Sequence, residues 1–321
     1  MNKPFLLKPS AKDYLWGGDR LKKYYNKRAG VSPLAETWEC STHPDGESFA
    51  FGKPLSEVLK AHPEYIGSRY ANAEGRLPVL IKFIDAAKNL SVQVHPDDEY
   101  AKYEGDSGKT EMWYVLEAEK GAEIVYGFNR DVSKDELRAA VENGTVEKYL
   151  CRVPVKKDDV FFIDAGTVHA IGAGCLVAEI QQSSNLTYRL YDYNRTDKNG
   201  KKRALHVEKA LDVACLKGGG GVQRGMRVLR YGRGYASDNV CRCSYFQVLR
   251  LLVNTETVGG ATPEIQTDAY SFNVLLCTWG KGALTYTDGS LGFCKGDCVF
   301  IPANSEKITL SGNFSVLKVS V

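Results

Sequence analysis

Short apolar runs rich in Val, Ile, Phe, Tyr and Trp recur along this chain, and Gly, Pro, Asp and Asn lie between them. β-branched and aromatic residues favour extended backbone, and the residue types between the runs favour turns. A series of short strands separated by turns predicts a sandwich or a barrel. We expect the strands of the first two thirds at residues 77–84, 90–95, 111–117, 123–128, 160–163, 175–181 and 186–191.

Helical patterns are few and lie in the same part of the chain. We expect helices at residues 55–61, 134–142 and 207–215. Ser133 and Glu136 have the spacing of a capping box, in which each side chain bonds a backbone N–H at the start of a helix. The expected fold is therefore mainly β, with a few short helices on the N-terminal half.

One turn–strand–turn unit occurs twice in the sequence. The first copy runs from Asp158 to His169 around a short apolar run, and the second runs from Gly296 to Lys307 with the same spacing. Such a repeat implies a duplicated structural unit. The second copy has Lys307 in place of the histidine, and no His follows His206. We therefore expect the second unit to lack a metal site like that of the first.

Four candidate metal ligands lie at or beside the predicted strands: Gln93, His95, Glu111 and His169. Neutral imidazoles and a carboxylate suit zinc or a similar divalent ion, and the amide oxygen of Gln93 could add a ligand or orient one. Side chains alternate across a strand, so each strand can direct such residues into a barrel. An open coordination position would then remain for a substrate.

The run Gly218–Gly221 interrupts the strand pattern, which resumes at about Phe246. Consecutive glycines are typical of a flexible connection. We expect a metal-binding domain with the short helices at residues 1–217, a Gly/Arg-rich connection at 218–240, and a C-terminal domain without metal ligands at 241–321.

Four segments carry a resemblance to a known family. They are LSVQVHPDDEYA from residue 90, GKTEMWYVLEA from residue 108, AGTVHAIGAG from residue 165 and EIQQSSNLTYRLYDYNR from residue 179. The sequence resembles the type I phosphomannose isomerases, also called mannose-6-phosphate isomerases, in their short bacterial form. The resemblance covers most of the first two thirds of the chain, and the last third shares only the general strand pattern.

The resemblance implies two tandem cupin barrels, which are jelly rolls, with one zinc ion per chain in the first. The family's zinc ligands fall on Gln93, His95, Glu111 and His169, and its active-site arginine falls on Arg189. The implied activity is the interconversion of mannose 6-phosphate and fructose 6-phosphate by metal-assisted proton transfer through a cis-enediol.

Two residues are candidates for the general base of such a reaction. Glu179 precedes Arg189 by ten residues, and a partly buried carboxylate near zinc could be tuned toward neutral pH. Lys109 lies two residues before Glu111 and would need a lowered pKa. We favour Glu179 for proton abstraction, and Lys109 for proton transfer at the ring oxygen or for a phosphate contact. The alternative for Glu179 is to orient a metal ligand.

Lys82 and Ser91 match family positions linked to the substrate phosphate. Lys82 stands among apolar residues, where an unpaired ammonium would be costly, so an anion contact is a reasonable role. One position departs from the family: some relatives have Asp four residues before the arginine, where this chain has Asn185. An amide is not a general base near neutral pH, so no catalytic role passes to Asn185.

Composition limits the other classes of function. The 321 residues are 43% hydrophobic and 25% charged, as in ordinary globular proteins, and a net charge of +3 is too small to indicate nucleic-acid binding. No apolar run is long enough for a membrane span or a signal peptide, so we expect a cytoplasmic protein. The nine Cys contain no CxxC pair and indicate reduced thiols. A monomer is the default expectation.

Two alternatives to the isomerase stay open. One is a non-catalytic protein of two cupin barrels that binds a sugar phosphate as a sensor, which the amide at Asn185 makes conceivable. The other is a metal-dependent cupin oxidoreductase, because two His and one carboxylate also form the site of non-haem iron enzymes.

Overall fold

The computed structural model describes residues 2–196, 200–219, 227–257 and 262–321. Fourteen strands precede residue 192: β1 (Phe5–Leu7), β2 (Ser10–Lys12), β3 (Glu36–Cys40), β4 (Phe49–Ala50), β5 (Lys53–Pro54), β6 (Val79–Asp85), β7 (Val92–Val94), β8 (Glu111–Ala118), β9 (Glu123–Phe128), β10 (Leu150–Pro154), β11 (Val160–Ile163), β12 (His169–Ile171), β13 (Cys175–Gln182) and β14 (Tyr188–Tyr191). Eight further described strands follow: β15 (Arg230–Gly232), β16 (Tyr235–Arg242), β17 (Gln247–Asn254), β18 (Glu264–Ile265), β19 (Asn273–Tyr286), β20 (Gly289–Cys294), β21 (Cys298–Ile301) and β22 (Ile308–Ser320).

Helices within these ranges are short. The α-helices are α1 (Arg20–Tyr24), α2 (Leu55–Ala61), α3 (Asp98–Ala101), α4 (Lys134–Glu142) and α5 (Val207–Val213), and 3-10 turns occur at Pro63–Tyr65, Ser68–Tyr70, Lys102–Glu104 and Val146–Tyr149. The predicted mainly β architecture is confirmed. Helix α4 has the predicted capping box, with Ser133 and Glu136 bonding each other's backbone N–H. In the described part of the chain, no helix has the length and apolar character to cross a bilayer.

Two antiparallel sheets form the barrel of the N-terminal part. One has the strand order β10-β9-β12-β7-β14 and the other has the order β11-β8-β13-β6-β3-β2. A third sheet, β1-β21-β19-β22-β17-β16-β15, forms the C-terminal part, with β18 paired to β22 and β20 paired to β19. The third sheet takes its edge strand β1 from the start of the chain, since Phe5 pairs with Phe300.

Side-chain alternation sorts the strands of the second sheet into two faces. In β8, Trp113 and Val115 belong to the apolar cluster inside the first barrel, whereas Met112, Tyr114 and Leu116 belong to the core between the two parts of the chain. A strand that is buried on both faces needs apolar residues on both, which is why its sequence is a nearly continuous apolar run. Polar residues on the inner face are therefore exceptions that call for a function.

The predicted duplication appears in the backbone. Asp158 and Gly296 both have positive φ, +71° and +97°, and so do the later turn residues Gly166 and Asn304, at +87° and +54°. Each pair occupies the same position of the repeat, before and after β11 or β21. The left-handed conformation favours Gly and Asn at such turns. At the end of the second copy, Lys307 is an exposed residue that forms an ion pair with Glu264 at 2.8 Å.

Several predicted boundaries differ from those observed. Strand β7 is shorter than predicted because Pro96 follows His95 and has no N–H for a ladder. The short strands β1 to β5, β10 and β12 were not predicted, since two to five residues give too little periodicity. In the predicted connection at 218–240, residues 220–226 lie outside the described ranges, and residues 230–232 and 235–240 are strand. The domain limits therefore stay a prediction.

A buried ion pair joins the two parts of the chain. Lys27 donates to Glu39 Oε2 at 2.6 Å and to the carbonyl oxygen of Gly296, which lies in the turn before β21. Glu39 is fully buried, and burial raises the pKa of its carboxyl group despite the nearby ammonium. Removing one partner of a buried pair leaves the other charge uncompensated.

We expect Lys27→Met to lower the free energy of unfolding by about 3 kcal/mol, because Glu39 would lose its counter-charge in a buried position. Lys23→Met is the matched control, since Lys23 forms an exposed pair with Asp19 and solvent screening leaves such pairs with little effect on stability. Denaturant unfolding of both variants measures the difference. Equal losses would contradict the role of the buried pair.

Candidate metal centre and active site

Three buried side chains from both sheets of the first barrel converge on one point. His95 follows β7, His169 begins β12, and Glu111 begins β8 in the opposite sheet. One ligand atom from each lies within 4.8 Å of the others. His95 Nε2 is 3.6 Å from Glu111 Oε2, and His169 Nε2 is 3.4 Å from Glu111 Oε1.

Backbone carbonyls fix the orientation of both imidazole rings. His95 Nδ1 lies 2.7 Å from the carbonyl oxygen of Leu186, and His169 Nδ1 lies 2.8 Å from that of Thr167. A carbonyl only accepts, so each Nδ1 carries a hydrogen and donates it. In the neutral ring Nε2 then carries the acceptor lone pair, which is the arrangement of metal-binding histidines.

The electrostatics of this cluster fit a cation. Glu111 Oε1 and His169 Nε2 are buried acceptors that face each other, and neither has a hydrogen-bond partner in the described ranges. Burial lowers the pKa of His169 to about 4 and that of His95 well below its usual value, so both rings are neutral. Burial and the charge of Glu179 raise the pKa of Glu111 to about 7. A divalent ion would relieve these unmatched acceptors.

Gln93 is placed beside the cluster by the sheet. It occupies β7, between β12 and β14, and pairs with His169 on one side and with Arg189 on the other. Its Oε1 lies 3.5 Å from Ser91 Oγ, and its side chain lines the pocket. The structure therefore brings three of the four predicted ligands together and places the fourth, Gln93, opposite His169 on the neighbouring strand.

A transverse row of polar residues crosses the inner face of the second sheet. Lys82 pairs with Trp38 and with Glu179, and Glu179 pairs in turn with Trp113. Lys82 Nζ is 3.4 Å from Glu179 Oε1 and 4.0 Å from Glu36 Oε2. Each of these carboxylates accepts a hydrogen bond from an indole, at 2.9 Å from Trp113 and 2.7 Å from Trp38.

This row determines the charge state of its members. Burial by itself raises the pKa of Glu179, but Lys82, Lys109 and the Trp113 hydrogen bond outweigh burial and lower it. Burial would lower the pKa of Lys82, and the surrounding carboxylates reverse that effect. Glu179 is therefore an ionised acceptor at neutral pH, and Lys82 is a cation between two carboxylates.

Lys109 lies at the metal cluster itself. Its Nζ is 3.0 Å from His95 Nε2 and 3.1 Å from Glu111 Oε2, and its side chain is buried. A metal ion bound by His95 would use the Nε2 lone pair that now faces this ammonium, so Lys109 would keep only its contact with Glu111. Lys109 also lines the pocket, where it could reach a bound molecule.

Arg189 lies at the outer end of the same pocket. It donates to Ser91 Oγ at 3.3 Å and to the carbonyl oxygen of Ala204 at 2.9 Å. Burial and the neighbouring Arg203 lower the pKa of Arg189, but a guanidinium remains charged at neutral pH even so. Arg203 is held by Asp192 and lines the pocket beside Arg189. This end of the pocket is therefore cationic and suits an anionic group.

The pocket has a volume of about 280 Å³. It is lined by every residue predicted for catalysis or phosphate contact and by one of the predicted ligands: Lys82, Ser91, Gln93, Lys109, Glu179 and Arg189. Asn185 also lines it, and its Nδ2 donates to Asp45 Oδ2 at 2.7 Å.

The sequence reasoning missed Glu36, which is buried and lines the pocket. Lys82 stands in an apolar run, whereas Glu36 begins a strand of five residues that contains two Glu and one Thr, so the sequence around it gives no signal of burial. The cost of burying such a charge is evident only once the strand is seen to be buried throughout. Arg203, Tyr14 and Trp16 also line the pocket and were not selected, because they lie in loops without a distinctive pattern.

The fold and the site together define a β protein with tandem barrels and, in the first barrel, a buried His–Glu–His cluster that could hold a metal ion. Residues 5–147 match the family model of the phosphomannose isomerase type I catalytic domain, and residues 240–321 match that of the mannose-6-phosphate isomerase cupin domain. The chain belongs to the mannose-6-phosphate isomerase family, and the predicted cupin fold is confirmed.

Individual relatives agree with this membership. The mannose-6-phosphate isomerase of Streptococcus mutans is 34% identical over 323 residues, covering 99% of this chain and 98% of the relative. The crystal structure of the mannose 6-phosphate isomerase from Bacillus subtilis is 32% identical, covers 100% of both chains and superposes with a TM-score of 0.89. The apo form from Salmonella typhimurium, 16% identical with 99% of both chains covered and a TM-score of 0.77, shares the fold.

We expect His169→Ala to remove most of the bound metal, because one of three converging ligands is lost and metal affinity falls by several orders of magnitude. His62→Ala is the control, since His62 is exposed and stacks on Tyr65 far from the cluster in sequence. Elemental analysis of the purified proteins gives the metal content. Full metal content in His169→Ala would refute this assignment.

Proposed function

We propose that this chain is an aldose–ketose isomerase that interconverts mannose 6-phosphate and fructose 6-phosphate. The observation that carries the proposal is a pocket that holds the ionised Glu179 carboxylate and a cationic end and that also contains Lys109, whose Nζ lies 3.0 Å from His95 Nε2 of the candidate metal cluster. Membership of the mannose-6-phosphate isomerase family supports the substrate pair. It also supports an isomerase rather than a metal-dependent oxidoreductase.

We assign one zinc ion per chain to Gln93, His95, Glu111 and His169. The donor set of two neutral imidazoles and one carboxylate is typical of catalytic zinc, and an amide oxygen could complete or orient it. When bound, zinc polarises sugar oxygens and stabilises the negative charge that develops during proton transfer. The unpartnered acceptors His169 Nε2 and Glu111 Oε1 support this assignment, and so does the orientation of both rings by backbone carbonyls.

Glu179 is our candidate for the general base. Isomerisation removes the proton from C2 of the aldose and returns one to C1 through an enediol. An ionised carboxylate in the pocket can accept that proton, and Trp113 fixes one of its oxygens by a 2.9 Å hydrogen bond. Lys109 is held by the metal cluster, which suits proton transfer at the ring oxygen or a phosphate contact rather than at carbon.

The phosphate group belongs at the cationic end of the pocket. Arg189 and Ser91 are in contact there, and a guanidinium with a hydroxyl suits phosphate oxygens. Lys82 stays a predicted phosphate contact. Its place between Glu36 and Glu179 supports an additional role, which is to keep Glu179 ionised by its charge.

The sensor alternative depends on Asn185. Its amide lines the pocket and donates to Asp45, so it serves as an anchor for the loop rather than as an acid or base. Loss of turnover with retained sugar-phosphate binding would favour the sensor. The cytoplasmic location and the monomeric state predicted from the sequence stay predictions.

We expect the zinc-loaded protein to form fructose 6-phosphate from mannose 6-phosphate, and a chelator to stop turnover until zinc is restored.

Arg189→Ala should keep its metal and lose about 10²- to 10³-fold in kcat/KM, because a cation that stabilises developing charge is removed. Arg152→Ala is the control, since Arg152 is exposed and pairs with Glu147. A coupled assay with metal analysis measures both. Normal turnover in Arg189→Ala would refute its role.

We expect Glu179→Gln to abolish exchange of the substrate C2 proton with deuterium from solvent, because an amide does not accept that proton. Metal content should be unchanged, which separates a base from a residue that orients a ligand. Lys109→Met provides the comparison, and it should slow ring opening while open-chain substrate analogues still exchange. Exchange at the wild-type rate in Glu179→Gln would transfer the role of base to another group.

A further inference from the structure

A second cleft lies where the two parts of the chain meet. Its volume is about 290 Å³, close to the 280 Å³ of the pocket beside the metal cluster, and the two have no lining residue in common. One wall comes from β8 and the turn before β11, and the other comes from β17, β19 and β22. The cleft is therefore a separate cavity of the size of a small metabolite.

An aromatic surface is available on the C-terminal wall. Trp279 lines the cleft and is 50% exposed. A bulge in the pairing of β19 with β22 falls between Cys277 and Trp279, and bulges redirect the side chains beside them. With Leu116 and Leu252 nearby in the lining, the indole offers a face for a planar base or for the C–H face of a sugar ring.

Two cations of the cleft are held in fixed positions. Lys295 Nζ lies 4.0 Å from the centroid of the Tyr25 ring and 3.5 Å from Glu117 Oε1. Arg250 donates to Asp238 at 2.8 Å and to Tyr114 Oη at 3.3 Å. These contacts reduce the cost of ordering the two side chains when an anion binds.

Both carboxylates that line the cleft accept a hydrogen bond from a tyrosine hydroxyl. Tyr25 Oη donates to Glu117 at 3.4 Å, and Tyr114 Oη donates to Asp158 at 2.5 Å. Lys157 is exposed, and among the described residues it has no ion-pair partner. The cleft and the residues directly behind it carry four cations and three carboxylates, a net charge of +1: Lys157, Arg227, Arg250 and Lys295 against Glu117, Asp158 and Asp238.

We infer that this cleft binds a small phosphorylated ring compound, with its ring against Trp279 and its phosphoryl group between Lys157 and Arg250. The uncompensated ammonium supplies attraction for the anion, and the exposed indole supplies a surface for the ring. A sugar phosphate and a nucleotide share this chemistry. The site is independent of the metal cluster and of the proposed isomerisation.

Equilibrium dialysis on the metal-loaded full chain tests the inference with three probes: inorganic phosphate, AMP, and an equilibrated mixture of mannose 6-phosphate and fructose 6-phosphate. Binding of one AMP per chain would show that the cleft takes a nucleotide. Binding of two sugar phosphates per chain, one of them in the pocket beside the metal cluster, would show that the cleft takes a sugar phosphate. Inorganic phosphate should bind the cleft about tenfold more weakly, because it has no ring for Trp279.

Variants assign the binding to the cleft. Lys157→Glu and Trp279→Ala should each weaken cleft binding about tenfold, and Trp279→Phe should restore it. Lys156→Glu is the matched control, because Lys156 is an exposed neighbour that does not line the cleft. All of these variants should keep the wild-type kcat/KM for isomerisation.

Three results would overturn the inference: a single sugar-phosphate site with no AMP binding, equal affinity for inorganic phosphate and the organic probes, or unchanged binding in Lys157→Glu and Trp279→Ala. Absence of isomerase turnover in the wild-type protein would instead count against the proposed function, since dialysis does not depend on turnover.

Discussion

The buried Glu111 carboxylate facing two imidazole lone pairs is the constraint on which the rest of this site depends. Acceptors this close together, out of contact with water, are unfavourable without cations. Lys109 reaches His95 Nε2 and Glu111 Oε2, but Glu111 Oε1 and His169 Nε2 have no hydrogen-bond partner among the described residues. The backbone carbonyls that orient His95 and His169 make the arrangement rigid. The barrel therefore holds a rigid group of acceptors that could bind a metal ion beside the pocket.

The second sheet places the candidate base Glu179 on the same face as Glu111. Alternation places Glu111, Glu179 and Lys82 on one face, and cross-strand pairing puts Lys82 beside Glu179. Burial is the largest single influence on each of these groups, but for Lys82 and Glu179 the neighbouring charges and hydrogen bonds together outweigh it. The outer face of the same strands is apolar and forms the core shared with the C-terminal part. The same strands therefore carry the residues of the site on one face and the apolar contacts with the C-terminal part on the other.

The duplicated unit has diverged in a physically simple way. The turns keep their left-handed positions in both copies, so the backbone geometry is retained. The second barrel is filled by apolar side chains, and Lys307 points to an exposed ion pair where the first copy has His169. The outer surface of the second barrel forms one wall of the cleft between the two parts of the chain.

The sequence by itself determined the strand-rich architecture, the repeat, the capped helix α4 and the residue types of the metal cluster, because periodicity, turn residues and donor chemistry are local properties. Tertiary structure alone decided which charges meet. Strand register places Lys82 between Glu36 and Glu179, and chain crossing places β1 in the C-terminal sheet. Pairings between residues distant in sequence leave no local pattern, so the role of Glu36 and the second cleft became visible only in the folded chain.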